Sequence, residues 1–235
     1  MIAKIIKNDL RIYMVLAIGL LFRIIYIIRY PVPERDSYTY KSIIETWNAT
    51  NVLSVSLNVP PLGIYILNLP HSLFNIELIK GGILINIIIG LAVIYFIMRI
   101  AFLILGSRVY MLCIGILASS YPTFVRYSCQ MLRENSFILF YTMSLFFLIL
   151  DYYKPRKSNI FFAGMTSVLA CMCRHEGIEI VLLILVYLMT RANRIRNLVL
   201  FLTSMFASAF LVSAMIDLKL SYYKIFVYKF IDRLF

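Results

Sequence analysis

Residues 81–105, GGILINIIIGLAVIYFIMRIAFLIL, hold one charged side chain, Arg99, in a run too long for a core strand. In lipid such a run closes its backbone hydrogen bonds as a helix, because no water is there to satisfy a loose N–H or C=O. Comparable runs recur at residues 10–28, 109–125, 136–150, 160–173, 178–189 and 198–216. The expectation is an all-α, polytopic membrane protein with about seven transmembrane helices. Several runs fall short of the ~20 residues that cross a hydrocarbon core, so they must borrow flanking residues or line a wet cavity. With 62% hydrophobic and 14% charged residues, a water-soluble fold is excluded.

Residues 1–235 read as a single membrane domain. Residues 29–80 form a mixed outer loop with juxtamembrane helices, and residues 217–235 form an interfacial tail or the start of further helices. The net charge of +12 sits in short blocks between apolar runs, a pattern that orients helices and meets anionic headgroups; nucleic acid is not an expected partner. Lys4, Lys7 and Arg11 precede the first run and no small-x-small cleavage site follows it, which predicts an uncleaved signal anchor with a cytoplasmic N-terminus. On that orientation Arg99 and Arg108, then Lys154, Arg156 and Lys157, then Arg191, Arg194 and Arg196 are all cytoplasmic. Reading residues 160–189 as one helix would separate the last two blocks, so a hairpin is expected there.

Three mixed-charge clusters then fall on the extracytoplasmic side: Glu34–Arg35–Asp36, Arg133–Glu134 and Arg174–His175–Glu176. The first opens SYTYKSIIETWN, where Tyr40, Ile43, Ile44 and Trp47 share a helical face and Lys41 pairs with Glu45 on another. This spacing predicts an amphipathic helix on the membrane surface with Trp47 at the interface. Pro60–Pro61 breaks the chain before a short apolar helix expected to end at Pro70. A carboxylate at the membrane lip can take a proton from an acceptor hydroxyl, and arginines across a cavity can hold a departing phosphate. The bland alternative is that each cluster is an ion pair capping a helix end. For one cluster the two readings are even; for three on one side, function is the better reading.

Other residues carry less. Arg23, inside the first run, is either a snorkelling side chain or the partner of a buried acid. Cys113, Cys129, Cys171 and Cys173 lack CxxC spacing and read as buried thiols. His71, beside Pro70, reads as a solvated or interfacial loop residue, and Asn48-Ala49-Thr50 is a formal glycosylation sequon. Two histidines exclude a histidine-rich metal site; carboxylates holding a divalent cation stay open. No Walker loop, GxGxxG or GxSxG is present.

The order of ERDSYTY, PPLGIY, YPTFVRYS, RENSF and AGMTSVLACMCRHEGIE resembles the membrane-embedded C-type glycosyltransferases, in the group containing protein O-mannosyltransferases and lipid A aminoarabinose transferases. The resemblance covers roughly residues 11–189. It implies transfer of a sugar, with inversion, from a polyprenyl-phosphate carrier to a lipid, glycan or protein acceptor at the extracytoplasmic membrane face. By motif position the base, or the metal-binding acid, is Asp36, with Glu34 as neighbour or substitute. The same resemblance implies that Arg35, Tyr38 and Tyr40 of that loop bind substrate, and that Pro61 and Tyr65 lie beneath the cavity. It implies too that Arg133, Glu134, Arg174, His175 and Glu176 face the cavity where the carrier phosphate is held, with Arg126 a further substrate-binding candidate. Many relatives carry adjacent acids where this chain has Asp36-Ser37, and they continue through further helices after the point where this sequence stops at Phe235. A minimal or truncated enzyme is one implication. The rival readings are a transporter or lipid flippase, for which no internal repeat is found, and a non-catalytic assembly subunit.

Overall fold

The computed structural model of the chain describes residues 10–50 and 59–216. Its helices are α1 (Leu10–Arg29), α2 (Arg35–Thr50), α3 (Pro61–Phe74), α4 (Leu78–Leu105), α5 (Arg108–Ser120), α6 (Pro122–Ser128), α7 (Glu134–Tyr153), α8 (Lys157–Cys173), α9 (Ile178–Met189) and α10 (Arg194–Ile216). A 3₁₀ turn, His175–Gly177, joins α8 to α9. No strand occurs among the described residues. The Lys4–Lys7 block and the 217–235 tail lie outside them.

All seven apolar runs are helical. Four helices, α1, α4, α7 and α10, are long and apolar enough to cross a membrane, and α5 with α6, bent by 59°, makes a fifth if taken as one broken span. Pro122 accounts for the bend: it starts α6 at the position where a missing N–H costs nothing, and it bars Tyr121 from helical geometry. The α8 helix has 17 residues and α9 has 12, so α9 reaches only about 18 Å against a core of about 30 Å. The two form the expected hairpin.

Helix α4 packs against α1, α3, α5 and α7, and α8 lies between α7 and α10. One apolar core joins α1, α4 and α5 through Ile12, Val15, Ile94, Met98 and Met111. A second joins α7 to α10 through Leu148, Ile160, Ile184, Leu188 and Phe201. A third seats α2 and α3 on the end of the bundle through Tyr40, Ile44, Ile64, Leu67 and Met131. Exposed Leu21, Ile88, Phe206 and Phe210 give the outer surface the apolar character of a lipid-solvated protein.

Four expectations are corrected. Pro70 does not end α3: the helix continues to Phe74 and closes at Asn75, whose left-handed conformation lets its N–H reach the His71 carbonyl at 2.8 Å. The proline forfeits one helical hydrogen bond, and its ring lies against Gly81, where no side chain obstructs it. His71 is accordingly helical, with Nδ1 2.8 Å from the Ile76 carbonyl oxygen, bracing the turn into α4. Arg23 neither snorkels nor meets an acid; it is fully buried and donates to the Gly19 carbonyl and to Ser128 Oγ at 2.9 and 3.0 Å. Of the four free cysteines three are buried, but Cys113 is exposed on α5.

Candidate active site

Pro31 and Pro33 separate α1 from α2, so the Glu34–Asp36 triplet enters at the helix start, where carboxylates are favoured by the backbone dipole. Asp36 is exposed in the first turn and Tyr40 lies one turn on, on the same face, only 6% exposed. Across from them Arg133 caps α7 and Glu134 begins it. Gly63 lets α3 come close beneath Arg133, since a Cβ there would stand 2.7 Å from the Arg133 Cβ. The Arg133 guanidinium lies 5.9 Å from the Tyr40 ring centre, within cation–π range.

The third cluster arrives because α8 stops at Cys173 and doubles back. Gly177 makes that reversal tight enough: a Cβ on it would fall on the Cys171 backbone nitrogen. Arg174 is thereby presented to two carboxylates, donating to Glu134 Oε1 at 2.9 Å and to Glu176 Oε2 at 3.2 Å, with its guanidinium 5.9 Å from the Phe137 ring centre. Burial works against its charge, but the Glu176 hydrogen bond and the Glu134 and Glu176 carboxylates outweigh it and raise its pKa. Tyr40 is the common neighbour. Burial first, then Glu134 and Asp36, push its phenol upward, while Arg133, partly through a hydrogen bond, opposes them. Side chains from α2, α7 and the α8–α9 turn are therefore in electrostatic reach of one hydroxyl.

Glu34 belongs to a second, outer group. Its Oε1 accepts from Arg126 Nε at 2.6 Å, and its backbone N–H donates to Gln130 Oε1 at 2.8 Å. Arg35 and Tyr38 are exposed on α2, and no hydrogen bond or ion pair ties their side chains to either group among the described residues. His175 is half-buried in the turn between Arg174 and Glu176. Pro61 is the buried first residue of α3, and Tyr65 packs beneath the cluster against Trp47, 6.0 Å between ring centres, and beside Cys173. Trp47 thus turns inward onto α3.

Three amides outside the expected site hold it in place. Asn86, fully buried in α4, donates to the carbonyls of Gln130 and Leu132 at 2.6 and 2.8 Å. Asn135 donates to the Tyr127 carbonyl at 2.6 Å, and Gln130 itself is 3% exposed. Together they fix the non-helical segment between α6 and α7 that carries Arg133. A lone asparagine inside the apolar 81–105 run was the available signal, since an amide there must find a partner.

The inner group sets three carboxylates, Asp36, Glu134 and Glu176, against two guanidiniums, Arg133 and Arg174. Any anion approaching Arg174 must therefore compete with Glu134 or Glu176. Among the described residues no group of three or more His, Cys, Asp or Glu is placed to hold a metal ion. Two cavities, of about 310 and 430 Å³, are lined by other residues.

Comparison with curated proteins and with solved structures returns no match. A sequence profile does match: residues 58–216 fit the family described as dolichyl-phosphate-mannose-protein mannosyltransferase. The matched range takes in Pro61, Tyr65, Arg126, Arg133, Glu134 and the Arg174–Glu176 turn, while Glu34, Asp36 and Tyr40 precede it. Because that range is most of the chain, and because its helices carry the elements of a polytopic bundle, the chain belongs to the dolichyl-phosphate-mannose-protein mannosyltransferase family, a group of membrane-embedded C-type glycosyltransferases.

Proposed function

We propose that this protein moves a sugar from a polyprenyl-phosphate-linked donor to a lipid, glycan or protein acceptor, with inversion, where α2, α7 and the α8–α9 turn meet. That end faces the extracytoplasmic side and the N-terminus is cytoplasmic. The orientation is supported by the opposite end, where Arg156, Lys157, Arg191 and Arg196 gather in one pocket, as expected of cytoplasmic loops.

In the proposed reaction Asp36 removes the acceptor hydroxyl proton as the oxygen attacks the anomeric carbon. The bond from that carbon to the phosphate oxygen breaks on the opposite face, and the carrier phosphate leaves with the electron pair. Arg133 and Arg174, with His175 beside them, receive the charge it gains. Tyr40, kept a neutral phenol by burial, can donate a hydrogen bond to either partner. Asp36 is preferred to Glu34 because Glu34 is engaged by Arg126, whereas Asp36 forms no ion pair among the described residues.

The observation that carries this reading is the Glu134–Arg174 contact beside Tyr40, which brings together groups distant in sequence. The test uses purified full-length chain with polyprenyl-phosphate-linked mannose. Asp36→Asn should lower kcat by about a hundredfold or more, and Glu34→Gln should cost less. Unchanged turnover with Asp36→Asn removes Asp36 from the mechanism.

A further inference from the structure

At the far end of α7 the structure forms a second polar centre with no part in the reaction proposed above. Asp151, 2% exposed, accepts from the Arg156 backbone N–H at 3.0 Å, from Tyr187 Oη at 2.8 Å and from Arg191 Nη2 at 3.0 Å. These bonds draw the α7–α8 and α9–α10 connections together. Between them lies a pocket of about 310 Å³, lined by Asp151, Arg156, Lys157, Arg191, Asn193 and Arg196 among others. From Glu134 to Asp151 is about 26 Å along the α7 axis, so this pocket and the candidate active site lie at opposite ends of the bundle.

Its charges are arranged against helix electrostatics. Helices α8 and α10 both begin at the pocket, neither has an acidic residue in its first turn, and Arg156 caps α8 without a side-chain hydrogen bond. Cations are thus placed where a helix carries partial positive charge, and the one carboxylate lining the pocket, Asp151, is already engaged by the Arg156 N–H, Tyr187 and Arg191, so the remaining cations favour a further anion. Of the four cations only Arg191 is in an ion pair, with Asp151; Arg156, Lys157 and Arg196 form none among the described residues. The positive-inside tendency accounts for cations on this side of a membrane, but not for their gathering about one concavity. Tyr152 and Tyr153, 65% and 46% exposed beside it, mark the depth of the headgroups.

We propose that this pocket binds the phosphate of an anionic phospholipid headgroup. Arg156, Lys157 and Arg196 supply charge-assisted hydrogen bonds, and the first N–H groups of α8 and α10 supply further donors.

The test reconstitutes the full chain in phosphatidylcholine nanodiscs containing a minor fraction of phosphatidylglycerol and counts retained phosphatidylglycerol by native mass spectrometry. Arg156→Gln with Arg196→Gln should reduce retention about tenfold or more. Lys154→Gln with Arg108→Gln, which removes equal charge outside the pocket, should change it by less than about twofold. Helical content by circular dichroism checks each pair, and Lys157→Gln alone provides a milder variant with the same expected direction. Equal loss with both pairs, or retention unchanged by the pocket pair, overturns the proposal. A further arm titrates inorganic phosphate against chloride at matched ionic strength in phosphatidylcholine alone. Thermal stabilisation by phosphate through Arg156 and Arg196, without selective phosphatidylglycerol retention, overturns the lipid assignment in favour of an anion from solution.

Discussion

Arg174 Nη1 donates to Glu134 Oε1 at 2.9 Å, tying the end of α8 to the start of α7 across a separation of 40 positions in sequence. Both side chains are mostly shielded, at 29% and 18% exposure, so water screens the pair less than it would at a surface. A double-mutant cycle with Arg174→Gln and Glu134→Gln, read by thermal unfolding in detergent, should give a coupling of about 1–2 kcal/mol. Additive effects would show that the two side chains do not sense one another.

Asn86→Leu should destabilise the protein by about 2–4 kcal/mol, because the Gln130 and Leu132 carbonyls each lose a buried donor. Donor affinity should fall with it, as the segment before Arg133 loosens. Denaturant titration and donor-binding assays read the two effects separately.

Gly63→Ala should cost about 1–3 kcal/mol, since its new methyl group would stand 2.7 Å from the Arg133 Cβ and force α3 and α7 apart. The same substitution at Gly106, where nothing lies within 4 Å but φ is +64°, should cost about 1 kcal/mol from backbone strain alone. Comparing their melting temperatures separates crowding from conformation.

Tyr40 gives a pH signature. Its phenol is raised above the ordinary value, chiefly by burial, so the folded chain holds this proton more tightly than the unfolded one. Its stabilising contribution is complete below about pH 10, the unfolded phenol value, and is lost as pH climbs through the raised folded value. Tyr40→Phe should flatten that decline. Melts of both proteins between neutral pH and pH 10.5 test the sign.

Asp151→Ala should cost about 3 kcal/mol, because it leaves Arg191 and the Tyr187 hydroxyl without their partner in a nearly closed site. The loss is expected in stability and in phosphatidylglycerol retention together.

Much of this architecture was legible in the residues. Apolar length alone located α1, α4, α7 and α10, and the balance of basic blocks foretold the reversal at Arg174–Gly177, because a straight helix would have split KPRK from RANRIR. Clustering of the outer charges could be anticipated from topology, though not the division that pairs Glu34 with Arg126 and leaves Asp36 near Tyr40. What escaped were bonds whose partners are backbone atoms or neutral groups. Asn86 contacts two carbonyls, and the two terminal nitrogens of Arg23 donate to a carbonyl and a serine; composition carries no trace of such pairings. Pro70 misled because a proline ends a helix only where the neighbouring packing gives it nothing in return, and Gly81 supplies a seat for its ring.

Arg174 fastens α8 to α7 at one extremity, and Arg191 fastens the α9–α10 connection to Asp151 at the other. A one-turn slip of about 5.4 Å between α7 and α8 would tear the first anchorage and break the bond from the Arg156 N–H to Asp151 at the other end. The two helices are therefore held in register at both ends, and sliding of one past the other is resisted along the length of α8.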